Sequence, residues 1–184
     1  EMRSFTDLRL RQRVKPAGPE KIYISRSGLF RKRGRFLMED YIEAKMEAEG
    51  YTVFHPQDHD LETQLSWYKG VSAIVSTDNS ALHLAAFVIN PHCKIGILLR
   101  RPGAIFADFE MQLKWFAGVQ PDVIDACTRF WFRADEKVQY NEVYALIDFE
   151  KTAQALKAAG IIENANWVNP SIVDVDRAIE KLEA

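Results

Sequence analysis

The chain has 184 residues, 47% hydrophobic and 27% charged, with a formal net charge of −2. That length supports one domain with a sizeable core, and the composition is that of a globular protein rather than a disordered or fibrous one. No apolar run approaches the roughly 20 residues of a membrane span, Glu1–Pro16 is polar and basic, unlike a secretory signal, and two distant cysteines, Cys93 and Cys127, exclude a disulfide framework.

In chain order, Ser4–Val14 reads as a short helix with a basic face, and Pro16-Ala-Gly-Pro19 breaks it. Lys21–Ser25 alternates Ile, Tyr and Ile and is the first strand. Ser27–Arg35 is a loop with Gly28 and Gly34. Met38–Glu49 is a helix closed by Gly50, a natural C-cap. Tyr51–His55 is the second strand, ended by Pro56. Leu61–Gly70 is the second helix, with Leu65, Tyr68 and the stem of Lys69 on one face. Ser72–Thr77 is the third strand, apolar at its centre as a strand buried on both faces should be. Asp78-Asn79-Ser80 turns into a helix over Ala81–Val88, and Lys94–Leu99 is the fourth strand. Phe106–Phe116 is an aromatic-rich helix, Arg129–Arg133 a fifth strand, Glu142–Ala159 a long helix capped by Gly160, and Val173–Leu182 the last helix. Strands alternating with helices build a parallel sheet from βαβ units. The fold class is therefore α/β, a Rossmann-like doubly wound, mostly parallel sheet, forming a single domain over 1–184 with a basic arm at about 1–19.

The near-neutral total hides an asymmetry. Residues 1–35 hold eleven Lys/Arg against Glu1, Asp7 and Glu20, a balance of +8, so residues 36–184 carry −10. A basic arm is most simply a solvated face, and no aromatic platform or recognition-helix motif accompanies it, so nucleic acid is not the expected partner. The loop after the first strand concentrates Arg26, Arg31, Lys32, Arg33 and Arg35. Ligands of open parallel sheets bind beyond the carboxyl ends of the strands. A cationic loop there points to an anion, most simply a phosphate. His55, His59, His83 and His92 lack metal-ligand spacing, and Pro56 breaks the one i,i+4 pair. His83 reads as a packed histidine. Asp58 with His59 makes a weak acid/base pair. The stripe Phe106, Phe109, Trp115, Phe116 reads as core or a partner interface.

The pattern ISR…R-x-R-x-x-x-E-D, then G-Y-x-V…L-x-x-Q…A-I-V-x-x-x-x-x-A-L, resembles glycosyltransferase family 61 over roughly residues 15–100. The resemblance implies the C-terminal, nucleotide-binding lobe of a two-lobed GT-B enzyme of polysaccharide or glycan biosynthesis. Arg26, Arg33 and Arg35 fall on its basic positions, Glu39 on the Glu of its Asn-Glu pair and Gln64 on the Gln of its Glu-Gln pair. Asp78-Asn79-Ser80-Ala81-Leu82 occupies its His-Gly-Ala-x-Leu turn. These imply donor contacts: a diphosphate clamp at Arg26, Arg33 and Arg35, a ribose or base contact at Glu39, and a facing turn at Asp78, Asn79 and Ser80. The implied partners are a nucleoside-diphosphate sugar and a glycan or polysaccharide acceptor, with no cofactor, no obligatory metal and no nucleic acid. A cytoplasmic location is expected, and a homo-oligomer is left open. The resembling lobe alone would bind donor without transferring sugar, so the chain reads as a fragment of a longer protein or a short relative. The alternative is a non-catalytic nucleotide- or phosphate-binding or scaffold module derived from that lobe.

The chain departs from the family at Met38 (usually Asn), Thr63 (usually Glu), Ser76 and Asn79 (glycines) and Ile97 (often Glu). Asn tolerates left-handed backbone best after Gly, so Asn79 is expected at φ > 0. A negative φ would leave the phosphate-facing role to Asp78 and Ser80, with the anion Asp78 repelling the ligand. That outcome would favour the non-catalytic alternative.

Overall fold

The structure, a computed structural model, describes residues 10–30, 33–101, 106–132 and 142–183. β1 (Lys21–Ile24) lies inside the main sheet and pairs in parallel with β2 (Thr52–Phe54) on one side and β3 (Ala73–Thr77) on the other. β4 (Lys94–Leu98) adds to β3, and β5 (Asp122–Ile124) to β4. The order β2-β1-β3-β4-β5 is parallel throughout. The α/β Rossmann-like class read from the sequence holds.

The chain leaves β1 through α1 (Glu39–Ala48) to reach β2, then crosses back through α2 (Leu61–Gly70) to β3 on the far side of β1. The connections therefore reverse direction between β1 and β3, and the carboxyl ends of these strands open into a crevice at that switch point. α3 (Ala81–Ala85) and α4 (Ala107–Gln112) precede β4 and β5, and a π-helical turn, Leu113–Ala117, continues α4.

Two apolar layers follow from the period-2 alternation of the strands. Ile22, Ile24, Ile74, Ile95 and Ile97 face α2 through Leu65 and Tyr68, α3 through Leu82, and α4 through Phe109. Tyr23 and Val75 face the other way, onto Ile42 and Met46 of α1. The same layer takes in Ala153 and Leu156 of α5 (Phe149–Ala158) and Val175 of α6 (Ile172–Glu183). β6 (Cys127–Trp131) and β7 (Tyr144–Ile147) form a separate antiparallel pair. It is tied to the loop before α1, where the Leu37 N–H donates to the Ala145 carbonyl at 2.8 Å.

Several boundaries differ from the sequence expectation. The helix expected over Glu142–Ala159 is split into β7 and α5. Ala145, Leu146 and Ile147 are buried beside β6, and the Asp148 side chain starts α5 by accepting the Lys151 N–H at 2.9 Å. The strand expected at Arg129–Arg133 begins instead at Cys127 and lies outside the main sheet, with Arg133 beyond the described residues. β5 was not anticipated, since three residues carry too little pattern. Much of the helix expected at Ser4–Val14 also lies outside the described residues. The described part of the arm is docked at Arg11 and Val14 and exposed at Arg13 and Lys15. Arg11 donates to the Phe87 and Phe116 carbonyls at 3.0 and 2.8 Å, and Lys69 donates to the Arg11 and Val14 carbonyls. Among the described residues no helix is long and apolar enough to cross a membrane.

Gly50 and Gly160 close α1 and α5 in left-handed conformation, φ 80° and 65°, as expected of C-caps. The expected left-handed Asn79 is not found. The described non-glycine residue with positive φ is Met38, at φ 59° and ψ 40°, immediately before α1. This is the position where the family that the sequence resembles usually has Asn, the non-glycine residue that best tolerates such backbone. Met38→Asn should therefore cost little, because relief of left-handed strain offsets the loss of a half-buried methionine. Met38→Val should destabilise by about 1–2 kcal/mol, since a β-branched residue is a poor fit to positive φ. Urea denaturation of the two variants measures the difference.

Candidate functional site

The carboxyl ends of β1, β3 and β4 meet at the switch point. β1 runs into Ser25-Arg26-Ser27, β3 into Asp78-Asn79-Ser80, and β4 into Leu99-Arg100-Arg101. A cavity of about 320 Å³ opens there, lined among others by Arg26, Arg33, Asp78, Ser80, Arg100 and Arg101. A second cavity of about 370 Å³ adjoins it, sharing Arg26, Asn79 and Ser80, and reaches Gln57, Gln64 and Leu84.

Asp78 is the anion of this site, and it is 4% exposed. Its Oδ2 accepts from Arg101 Nε at 2.5 Å, and its Oδ1 stands 3.8 Å from Arg100 Nε. Arg100 is 2% exposed and donates Nη1 to the Val143 carbonyl at 2.9 Å. Burial pulls the Arg100 guanidinium down to about 10, with Asp78 opposing the shift, so it stays charged at neutral pH. Four arginines against one carboxylate leave the cavity strongly positive. Asp78 is thus a partner that holds cations in place, and the repulsion expected from it is offset. The sequence reading missed Arg100 and Arg101. Their signal was available, as two arginines directly after the buried run Ile95–Leu99.

Arg26 is half-buried and fixed at both ends. Its backbone N–H donates to Glu39 Oε1 at 2.8 Å, and its Nε donates to the Gly34 carbonyl at 2.7 Å. Burial lowers its pKa, with Glu39 and Asp78 opposing. Arg33 is exposed at the cavity mouth. Gly34 is pressed against Val143 and Arg100. A Cβ there would lie 2.2 Å from the Val143 carbonyl oxygen and 2.6 Å from Arg100 Nη1.

Of the remaining predicted residues, Gln64, Asn79 and Ser80 line the two adjoining cavities, and Arg35 and Glu39 do not. Arg35 turns away, donating Nη1 and Nη2 to the Ser27 and Leu29 carbonyls at 2.6 and 3.0 Å, and it lines a different cavity. Glu39 is 3% exposed and lies beneath the loop rather than at the arginine cavity. Besides the Arg26 amide, its Oε1 accepts from the Tyr23 and Ser25 hydroxyls, each at 3.3 Å. Gln64 spends its amide Nε2 on the Pro56 and His59 carbonyls at 2.8 and 2.9 Å, fixing the wall of the second cavity. Asn79 is buried. Its Oδ1 caps α3 by accepting the Ala81 N–H at 2.8 Å, and its Nδ2 donates to Ser76 Oγ at 2.8 Å. Ser80 precedes α3 without a side-chain cap and lines both cavities. His83 is packed as expected, with its ring 4.6 Å from Phe109 and its Nδ1 on Gln112 Oε1. His59 packs on Phe54 and Trp67 at 5.0 and 5.3 Å, outside both cavities, and Asp58 is exposed.

Two predictions come from this geometry. Gly34→Ala should force the loop off Val143, because the clash is with backbone, and should lower the melting temperature well beyond the effect of Gly28→Ala, whose nearest contact is the movable Gln57 side-chain amide. Burial raises the Glu39 carboxyl, with the Arg26 amide opposing. A raised acid holds its proton longer in the folded state. Its stabilising contribution is therefore full below the ordinary carboxylate range, roughly pH 4, and is lost as pH rises through the higher folded value. Glu39→Gln keeps an acceptor for Arg26 and cannot ionise. Its unfolding free energy should lack that decline with rising pH, measured by urea denaturation at a series of pH values.

No curated protein matches the chain. The sequence model of the family described as Glycosyltransferase 61 matches residues 2–96, a span that runs from the basic arm through the cationic loop and the Asp78 turn into β4. By that match over more than half its length, the chain belongs to glycosyltransferase family 61.

Proposed function

We propose that the arginine cavity holds the diphosphate of a nucleotide-sugar donor, and that this chain is the donor-binding lobe of a GT-B-type glycosyltransferase acting in polysaccharide or glycan biosynthesis. The observation that carries the reading is the convergence of Arg26 and Arg33, which follow β1, with Arg100 and Arg101, which follow β4, on one crevice at the switch point. In glycosyl transfer the sugar leaves a nucleoside diphosphate, and negative charge develops on the departing phosphate oxygen. Guanidinium groups fixed before the reaction stabilise that charge without reorganising. Arg26 and Arg101 are held by their own partners, Gly34 and Asp78, so their positions do not depend on the ligand. The reading includes no obligatory metal, since the arginines supply the neutralising charge. The adjoining, largely uncharged cavity bounded by Leu29, Gln64 and Leu84 receives the part of the donor next to the diphosphate. The acceptor is a glycan, bound outside these two cavities.

A non-catalytic phosphate-binding or scaffold module is the second reading. It draws on Ser76 and Asn79, whose side chains bond to each other where the family has bare glycine backbone, and on the negative φ at Asn79.

Calorimetry with UDP, GDP and CDP in low salt tests the site. Binding of at least one is expected, weakening as salt screens the exposed Arg33 over about 8 Å at physiological ionic strength. Arg33→Ala should cost about 1 kcal/mol of binding and Arg101→Gln about 1.5–3 kcal/mol, the value of a hydrogen bond to a charged group. Chelating divalent cations should leave the affinity unchanged. No binding at millimolar nucleotide, or affinities indifferent to both substitutions, contradicts the assignment. Binding without transfer by the full-length protein would select the second reading.

A further inference from the structure

His83 lines the arginine cavity, and a diphosphate gives it nothing to bind. We propose that His83 is a specificity-determining contact for the sugar of the donor, its Nε2 accepting a hydrogen bond from a sugar hydroxyl. The assignment rests on the reading of this cavity as the diphosphate site.

The ring is fixed from two sides by α4. It packs on Phe109, with 4.6 Å between ring centroids and 31° between planes, and its Nδ1 is hydrogen-bonded to Gln112 Oε1. A carboxamide oxygen only accepts, so Nδ1 carries the proton of that bond. In the neutral ring Nε2 is then left with a lone pair. Nε2 points away from Nδ1 across the ring. It has no hydrogen-bond partner among the described residues, and it is not one of the side-chain atoms buried without a partner. Nε2 therefore borders open space, and the open space that His83 lines is the arginine cavity.

Acceptors are scarce in this cavity. Its arginines only donate. Asp78 gives Oδ2 to Arg101, and its Oδ1 is buried. Asn79 spends Oδ1 on the Ala81 amide and Nδ2 on Ser76 and Thr77. Ser80 adds a hydroxyl that turns to suit its neighbour. Phosphate oxygens are acceptors and match the guanidiniums, but they have no hydrogen for a bare lone pair. A sugar hydroxyl does. The layout agrees with this division. Successive residues of α3 line different cavities, Leu84 the adjoining one and His83 the arginine one. With the nucleoside on the Leu84 side and the diphosphate on the arginines, the sugar leaves the diphosphate on the His83 side.

The test is calorimetry of the chain with nucleotides that carry or lack a sugar: UDP against UDP-glucose and UDP-galactose, GDP against GDP-mannose, and CDP against CDP-glucose. His83→Phe keeps an aromatic ring against Phe109 and removes Nε2. It should weaken a nucleotide sugar about fivefold, the loss expected of one hydrogen bond, and leave the matching nucleotide within about twofold. His83→Gln, whose terminal amide brings an oxygen to about the reach of Nε2, should restore part of the loss. Nitrogen NMR of labelled histidine should show Nδ1 protonated and Nε2 unprotonated in the neutral ring of the free chain. The Nε2 resonance should move further with a nucleotide sugar than with the nucleotide alone. An effect of His83→Phe on the nucleotide as large as on the nucleotide sugar, or a neutral ring protonated at Nε2, overturns the assignment and leaves the diphosphate reading standing. If no nucleotide binds, the diphosphate reading fails and this assignment falls with it.

Discussion

A carboxylate buried among arginines holds this molecule together at its working edge. Asp78 is fixed by the β3–β4 ladder, since its own N–H donates to the Leu98 carbonyl at 3.2 Å. With the Asp78 carboxylate 3.8 Å away, Arg100 can be buried almost completely, because an opposite charge offsets part of its desolvation. Arg100 in turn reaches Val143 and so ties the β6–β7 pair to the main sheet. Gly34 threads between Arg100 and Val143, and Arg26 donates to the Gly34 carbonyl. The position of the cationic loop thus traces back through Gly34 and Arg100 to one buried charge. A lone carboxylate at an anion site would be a liability. Linked to two guanidiniums, it makes their position independent of a ligand.

Much of the fold was legible because its signals are local. The alternating Ile-Tyr-Ile of β1, the apolar run of β3, and Gly50 and Gly160 at helix ends each report a backbone state within a few residues. The failures were of two kinds. Tyr144–Ile147 sits directly before a true helix and carries apolar residues compatible with either state. Only contact with β6 makes it a strand, and only the Asp148 cap marks where the helix begins. Arg100 and Arg101 were missed because their role depends on Asp78, more than twenty residues earlier in the chain. Conversely, a sequence position does not say which way a side chain turns: Arg35 and Glu39 lie away from the arginine cavity, whereas Asn79 lines it. All three spend hydrogen bonds on the protein's own loops and caps.

The departures from the family pattern have separate structural meanings. Ile97 sits in the apolar layer against α3 and α4, where an ionised Glu would lack a partner among that layer's side chains. Ser76 and Asn79 form a matched pair, the hydroxyl of one accepting from the amide of the other, so the two replacements are one local solution to the β3–α3 turn. Met38 has no such compensation, and its backbone keeps the conformation that an Asn would hold more easily.

The most direct measurement is a crystal structure of the chain with UDP. The account predicts the diphosphate between Arg26, Arg33 and Arg101, with the Asp78–Arg101 pair intact and the rest of the nucleotide directed toward Gln64. A diphosphate bound away from these arginines, or an Asp78–Arg101 pair that must break to admit it, would contradict the account.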